Sequence, residues 1–376
     1  MKVMSVLNLR PRKLGSFEEY TISLSRALTQ LGNQSILVFK ESPPEALLKY
    51  YLDAGAILET KPFSPFGFYS ARTLDALIRK HRPDILHFHF VNMLSFDVVT
   101  ATLRRNIKVV FSEHSSDIPK QRSVLKWRLL QAGKRIASTG MVKVIGPSNY
   151  VNGRLVQQGV ARKRVTTVYN GVNVERFKRN THSDDVDDVR TKYGIAPNHA
   201  IVASISQLIP EKGIGYLIDA AALSIKAGRN VSFIHVGDGP KGKEYREQVR
   251  RLGIEDKFVF AGLLNLWEIA AILRQSDIFT LPCTWGEAFS LVVLEALAAE
   301  KPLIVTDAGG NVEAVENGRN GLVVPPHDAN ALSSAILTLV DNPARRREMG
   351  EDSAKRSRYF SLERWVNDTI SLYAGL

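Results

Sequence analysis

An α/β fold of two doubly wound, parallel-sheet domains is what this sequence predicts, from three features. Short apolar runs alternate with helical patterns along the chain, the arrangement that builds a parallel sheet with helices on its faces. At 376 residues the chain is long for one core, so two domains are expected. Apolar residues make up 44% of it, enough to fill both.

Composition narrows the classes. No apolar run approaches the roughly 18 residues of a membrane span, and Met1–Leu9 is too short, before Arg10, for a signal-peptide core. A cytoplasmic protein is expected, soluble or at a membrane surface. Cys283 is the only cysteine, so an internal disulfide and a Cys-based metal cage are excluded, and its strand-end position suggests plain burial. The net charge is +12, and it is unevenly placed: residues 1–175 hold 26 Lys and Arg against 12 Asp and Glu, the remainder 24 against 26. The first half therefore favours an anionic partner: a lipid surface, a phosphorylated acceptor or nucleic acid. Nucleic acid is the weakest of the three, since there is no zinc spacing, basic heptad region or RNP-type aromatic cluster.

In chain order, Met1–Leu9 reads as a strand and Arg10–Gly15 as a basic turn before a helix over 16–31, with Ser16 and Glu19 as a capping box. Gly15 would let the backbone approach a ligand at that helix start. Residues 35–39, 85–90 and 109–112 read as strands, separated by helical patterns over 71–81 and 95–105. In such sheets ligands gather beyond the carboxyl ends of the strands, where His87, His89 and His114 fall. His87 and His89 share one strand face, but no third metal ligand is evident, which favours packing or hydrogen bonding. Residues 118–138 form a basic, partly apolar helix with Lys120, Arg122, Lys126 and Arg128 around Leu125, Trp127, Leu129 and Leu130. It fits a membrane-surface helix and equally a helix packed on the domain with a solvated charged face. A strand over 142–145 and a helix from Pro147 to about Gly159 follow.

The second half opens with a strand over 200–206, then Gln207-Leu-Ile-Pro-Glu-Lys212-Gly213 and a helix from about Gly215. Lys212 is placed for a diphosphate. Strands over 231–236 and 257–261 follow, the first running into the turn Gly237-Asp-Gly-Pro240. Two more strands, 277–282 and 301–306, flank a helix starting near Glu287-Ala-Phe289-Ser290-Leu291. Glu287 and Glu295, eight positions apart, would share one face of that helix if both lay within it. Its free N–H groups would suit a phosphate, with the acids left for sugar hydroxyls. An ordinary amphipathic helix with a solvated Glu at each end fits the same spacing. A strand over 321–324, helices after Asp328 and an amphipathic segment over 362–373 complete the chain.

Taken whole, E-A-F-S-L-x-x-L-E-A-L-A followed by K-P-x-I-x-T-D-x-G-G-x-x-E resembles the signature of the retaining glycosyltransferases of family 4, which have the GT-B fold. Asn170-Gly-Val-Asn173-x-x-x-Phe177 is similar to that family's domain-closing turn, and Gly237-Asp-Gly-Pro240 to its G-x-G-P turn. The resemblance covers nearly the whole chain, best over 144–177 and 204–325. It implies two Rossmann-like domains facing across a cleft: 1–177 on the acceptor side, 178–358 binding the nucleotide sugar, and 359–376 a helix crossing back.

The roles it implies are a retaining, metal-independent transfer of a sugar from a nucleotide-diphosphate sugar to an acceptor hydroxyl, in cell-surface polysaccharide or glycolipid synthesis. Glu295 would hold the ribose hydroxyls and Glu287 the donor sugar. Lys212 and the backbone amides near Phe289, Ser290 and Leu291 would hold the diphosphate, with Gln207 and Gly237 in the same donor site. His114 and Gly15 would face them from the first domain; the family often has Gly-Gly where this chain has Leu14-Gly15. His114, Glu287 and Lys212 are the catalytic candidates. The acceptor would be a glycan or a lipid-linked glycan, with an anionic membrane surface as a further partner at the inner face, and no cofactor is implied.

The Asp-x-Asp within 184–188, the metal device of the other large glycosyltransferase fold, is set aside because no apolar strand precedes it. The family's Arg-x4-Lys-Gly has Gln207 in the Arg position. An amide donates a hydrogen bond but makes no charged bidentate contact. Two rivals stand: a nucleotide-sugar epimerase, which shares the fold, and, because of Gln207, a degenerate, non-catalytic binding subunit.

Overall fold

The apolar runs become parallel strands because both of their faces are covered. In the computed structural model, which describes residues 1–64, 68–104, 106–116, 123–178 and 188–376, the chain divides into two compact units. The first takes Met1–Ser115, Lys120–Asn170 and Glu363–Leu376, the second Ser116–Pro119 and Gly171–Leu362. The sequence put the crossings at 177 and 358. Lys120, Arg122 and the acids at 184–187 lie outside the described residues.

In the first unit the strands are β1 (Lys2–Leu7), β2 (Gln34–Phe39), β3 (Ala56–Thr60), β4 (Ile85–His89), β5 (Lys108–Ser112), β6 (Met141–Gly146) and β7 (Val165–Thr167). Their order, β3-β2-β1-β4-β5-β6-β7, reverses direction between β1 and β4. That pair is in register Ser5 to His87 and Leu7 to His89, so the β4 histidines reach the carboxyl edge at the switch point, the usual ligand position in open α/β sheets. Leu7, Ile22, Leu37, Phe39, Leu47 and Tyr51 pack together as one core cluster. The C-terminal helix Leu362–Ala374 is fastened to this unit: Trp365 stacks on Tyr20 at 3.6 Å between ring centroids, and Tyr20 Oη and Thr369 Oγ1 are 2.9 Å apart. A buried ion pair, Lys61 Nζ to Asp97 Oδ2 at 2.7 Å, has Ser70 as its third member. Burial pulls the Lys61 pKa down while Asp97 pulls it up, and the net direction is down.

In the second unit β8 (Ala200–Ile205), β9 (Val231–Val236), β10 (Phe258–Gly262), β11 (Ile278–Leu281), β12 (Leu303–Thr306) and β13 (Gly321–Val324) lie in the order β10-β9-β8-β11-β12-β13, again parallel, with the switch between β8 and β11. β8 and β9 are buried at every position, as strands covered on both faces should be. Among the described residues no helix is long and apolar enough to cross a membrane.

Three local expectations change. Gly15, not Ser16, is the N-cap of the helix Ser16–Gln30, and no side chain caps it, so the Ser16–Glu19 capping box does not form. The helix expected near Glu287 is Leu291–Ala298, with Ser290 as its N-cap. Glu287 instead pairs in a short extended bridge with Gly309, so the argument that placed Glu287 and Glu295 on one helical face does not hold. The basic helix is Val124–Thr139.

Candidate functional site

At the switch point of the second sheet, two loops bring Lys212 and Glu287 together. Lys212 ends a single 3₁₀ turn, Pro210–Lys212, after β8. Gly213 follows in the left-handed region at φ 69°, where a Cβ would run into the carbonyl oxygen of Pro282. Glycine is thus required by both conformation and space. The loop after β11 docks there: Thr284 N donates to Glu211 O at 2.9 Å and Thr284 Oγ1 to Pro210 O at 3.2 Å. Glu287 is fixed by its own backbone, with N donating to Ala308 O at 3.1 Å and O accepting from Gly310 N at 2.7 Å.

The Glu287 carboxylate forms an ion pair with the Lys212 ammonium through Oε2 and accepts from Ser116 Oγ at 3.0 Å through Oε1. Burial opposes the charge on Lys212, yet Glu287 together with the other groups around it raises the pKa. Lys212 is therefore a cation at neutral pH. Cys283 Sγ lies 3.8 Å from Glu287 Oε2, and burial pushes that thiol up to about 12, so it stays protonated beside the pair. Plain burial, the sequence expectation for Cys283, leaves out this contact.

Leu291–Ala298 begins next to this pair in sequence. Ser290 N donates to Asn311 Oδ1 at 2.8 Å and Val293 N to Ser290 O at 3.2 Å, so what the helix start can offer a ligand is the N–H groups of Leu291 and Val292. Phe289 is buried and packs at 5.3 Å on Phe360. Leu291 is the first helical residue; Glu295, in the second turn, is only 6% exposed. Gln207 is exposed beyond β8. Its loop is zipped to the next one, with Leu208 N donating to Asp238 O at 3.1 Å and Gly237 (φ 135°) lying where a Cβ would strike Ser206 O. The second unit thus gathers a cation, an acid and a helix start at one sheet edge. That combination suits a diphosphate bonded to a polyhydroxyl group.

In the first unit, His114 follows β5, and its Nε2 lies 3.0 Å from His89 Nδ1. The His114 ring stacks on Phe90 at 4.3 Å and meets Phe17 edge-on at 5.6 Å. His87 has both ring nitrogens engaged, with Tyr373 Oη at 2.6 Å and Ser112 Oγ at 2.8 Å. Burial lowers His87 to about 3 and His114 to about 4, and holds His89 well below its usual range, so all three are neutral at pH 7. A single proton then joins His89 to His114. These rings, with Tyr20, Asn170 and Trp365, line a cavity of about 10 Å³. Gly15 stands at the start of Ser16–Gln30 with extended backbone (φ −135°), which any residue adopts. Among the described residues no group of three His, Cys, Asp or Glu side chains is placed to hold a metal ion.

The sequence reading missed Asn311, which takes the Ser290 N–H, and the His89–His114 contact, which joins residues 25 positions apart. Neither has a local signal.

Residues 17–176 match the family model described as Glycosyltransferase Family 4, and residues 185–356 that of Glycosyl transferases group 1. D-inositol 3-phosphate glycosyltransferase 2 of Catenulispora acidiphila is 26% identical over 391 aligned residues, covering 96% of this chain and 90% of that protein. N-acetyl-alpha-D-glucosaminyl L-malate synthase of Bacillus anthracis is 26% identical, covering 83% and 80%. Anabaena HepE, crystallised in complex with UDP, superposes with a TM-score of 0.81 at 22% identity, covering 100% of both chains. With a glycosyltransferase model on each half and this two-sheet fold matched from end to end, the chain belongs to the GT-B glycosyltransferases.

Proposed function

We propose that the chain transfers a sugar from a nucleoside-diphosphate sugar to an acceptor hydroxyl with retention of anomeric configuration. The observation that carries this is the Lys212–Glu287 pair beside the start of Leu291–Ala298. As the bond from the anomeric carbon to the β-phosphate oxygen breaks, its electron pair leaves with the diphosphate and negative charge grows there. Lys212 and the first-turn N–H groups stabilise that charge, the largest contribution such a site makes. Glu287 accepts from hydroxyls of the donor sugar, and Glu295 from those of the ribose. The acceptor oxygen bonds to the anomeric carbon on the face the diphosphate leaves, and its proton passes to a departing phosphate oxygen. No step needs a metal, because the positive charge comes from Lys212 and the helix start. In the first unit, His114 offers Nδ1 to a substrate hydroxyl, since Nε2 is committed to His89.

The acceptor we propose is a glycan or lipid-linked glycan, and the setting cytoplasmic synthesis of a cell-surface polysaccharide or glycolipid. The solved complex of HepE with UDP makes UDP the first nucleotide to try. Calorimetric titration of UDP, GDP and ADP, then of their sugars, tests the reading, followed by transfer and hydrolysis assays. Binding of a nucleotide sugar with turnover is expected. Epimerisation without an acceptor, or binding without turnover, would overturn it; the exposed Gln207 gives the second outcome its physical basis.

A further inference from the structure

The helix Val124–Thr139 turns apolar side chains outward where a domain helix would normally bury them. Val124 is 70% exposed, Leu125 68%, Leu129 63% and Ile136 71%, while the helix buries only Ala137 and Ser138. Leu125, Leu129, Ala132 and Ile136 follow at spacings of four, three and four, which makes one stripe along the helix. At its C-terminal end Gly140 packs against the backbone of Thr102, bringing in the exposed Leu103. Sequence periodicity left two orientations of this helix open. The outward stripe excludes a helix whose free face is purely charged.

The same helix carries Lys126, Arg128, Lys134 and Arg135 and no acid. Lys134 reaches toward Glu113 at 4.0 Å, and the other three are exposed. We propose that Val124–Thr139 is a membrane-surface element, lying parallel to an anionic lipid surface with Leu125, Leu129 and Ile136 in the headgroup boundary and the cations on the phosphates. Apolar and cationic side chains on one exposed helix are what such a surface binds, each kind supplying a separate part of the affinity. A second copy of the chain is a poor occupant. In a two-fold interface it would set four cations against four.

The test uses the full chain with vesicles of phosphatidylcholine alone and of equal parts phosphatidylcholine and phosphatidylglycerol. Wild type should sediment with the anionic vesicles at low salt, stay in solution with the neutral ones, and be released by salt. Exchanging Leu125, Leu129 and Ile136 together for Ser should lower the bound fraction at least tenfold, and so should exchanging Lys126, Arg128 and Arg135 for Gln. Because all six are exposed, thermal midpoint and nucleotide binding should stay at wild-type values in both variants, which separates this result from any failure of the donor reading. Wild type that ignores anionic vesicles overturns the proposal, as does a Ser variant that sediments like wild type. A wild-type dimer that the Ser variant converts to monomer also overturns it, in favour of self-association.

Discussion

Lys212 and Glu287 form an ion pair in which each partner is held by backbone contacts of its own, Lys212 by the turn locked at Gly213 and Glu287 by Ala308 and Gly310. The pair is therefore positioned before any ligand arrives. Preorganised charge of this kind acts on a departing diphosphate without reorganisation at the moment of reaction.

Removing that charge should show first in binding. Lys212→Ala is expected to weaken nucleoside diphosphate binding by about 1–3 kcal/mol, the range for charged hydrogen bonds. Glu295→Gln should do the same through the ribose. Calorimetry checks both, and wild-type affinity in both variants would mean the site is elsewhere. The pH dependence has a definite sign. Because the folded Lys212 pKa is raised above 10.5, the stability linked to this lysine's charge is fully present below that value and is lost as pH climbs through the higher folded one. Between pH 6 and 9 Lys212 should contribute no slope.

The histidines do the opposite. His87, at about 3, and His114, at about 4, titrate far below the usual 6.5, and His89 is also well below it. Protons thus bind the unfolded chain first. Their stabilisation is complete above pH 6.5 and is lost as pH falls toward the folded values, at about 1.4 kcal/mol per histidine for each pH unit. His235, lowered to about 4 by burial, adds the same slope in the second unit. Urea midpoints measured from pH 7 down to 5 should fall steeply, and His114→Gln should remove one histidine's share. A flat profile would contradict the burial of these rings.

Much of the fold could be read in the chain, because parallel strands covered on both faces leave unbroken apolar runs such as Ala200–Ile205. What stayed hidden depends on partners distant in sequence. Phe289 and Ser290 continue the helical spacing, yet the helix waits until Leu291 because Glu287 pairs with Gly309 and Gly310, more than twenty residues on. The edge strand Ala56–Thr60 has only a half-buried pattern and gives little signal. The helix Leu266–Gln275 was missed although Asn265 and Glu268, which form its capping box, have a spacing visible in the sequence. Gly213 and Gly237 sit in turns where a Cβ would strike backbone, as glycines after strands suggest; the role of Lys212 was implied by resemblance. The single-face geometry assigned to Glu287 and Glu295 did not survive.

A transfer that draws its positive charge from Lys212 and a helix start should not depend on divalent ions. EDTA in excess is expected to leave the rate within about twofold of the untreated enzyme, less than ~0.5 kcal/mol in barrier. Activity abolished by chelation and restored by Mg²⁺ or Mn²⁺ would overturn the metal-independent mechanism.

Gln207 offers a gain-of-function test of the diphosphate assignment. Its side chain is exposed, and its loop is fixed through Leu208 and Gly237, so an arginine can be placed there without repacking a core. Gln207→Arg would add a guanidinium five positions before Lys212, able to meet phosphate oxygens through two parallel N–H groups where the amide offers neither charge nor fork. Nucleoside diphosphate affinity should rise about tenfold, or ~1.4 kcal/mol, and fall more steeply with salt than in wild type. The nucleoside without phosphates should bind as before, and the thermal midpoint should not move. In a Lys212→Ala background the arginine should recover part of the lost affinity, because both cations would act on one anion. If Gln207→Arg leaves diphosphate affinity and its salt dependence unchanged while wild type binds well, position 207 does not face the diphosphate, and the role implied for it by resemblance does not transfer to this chain.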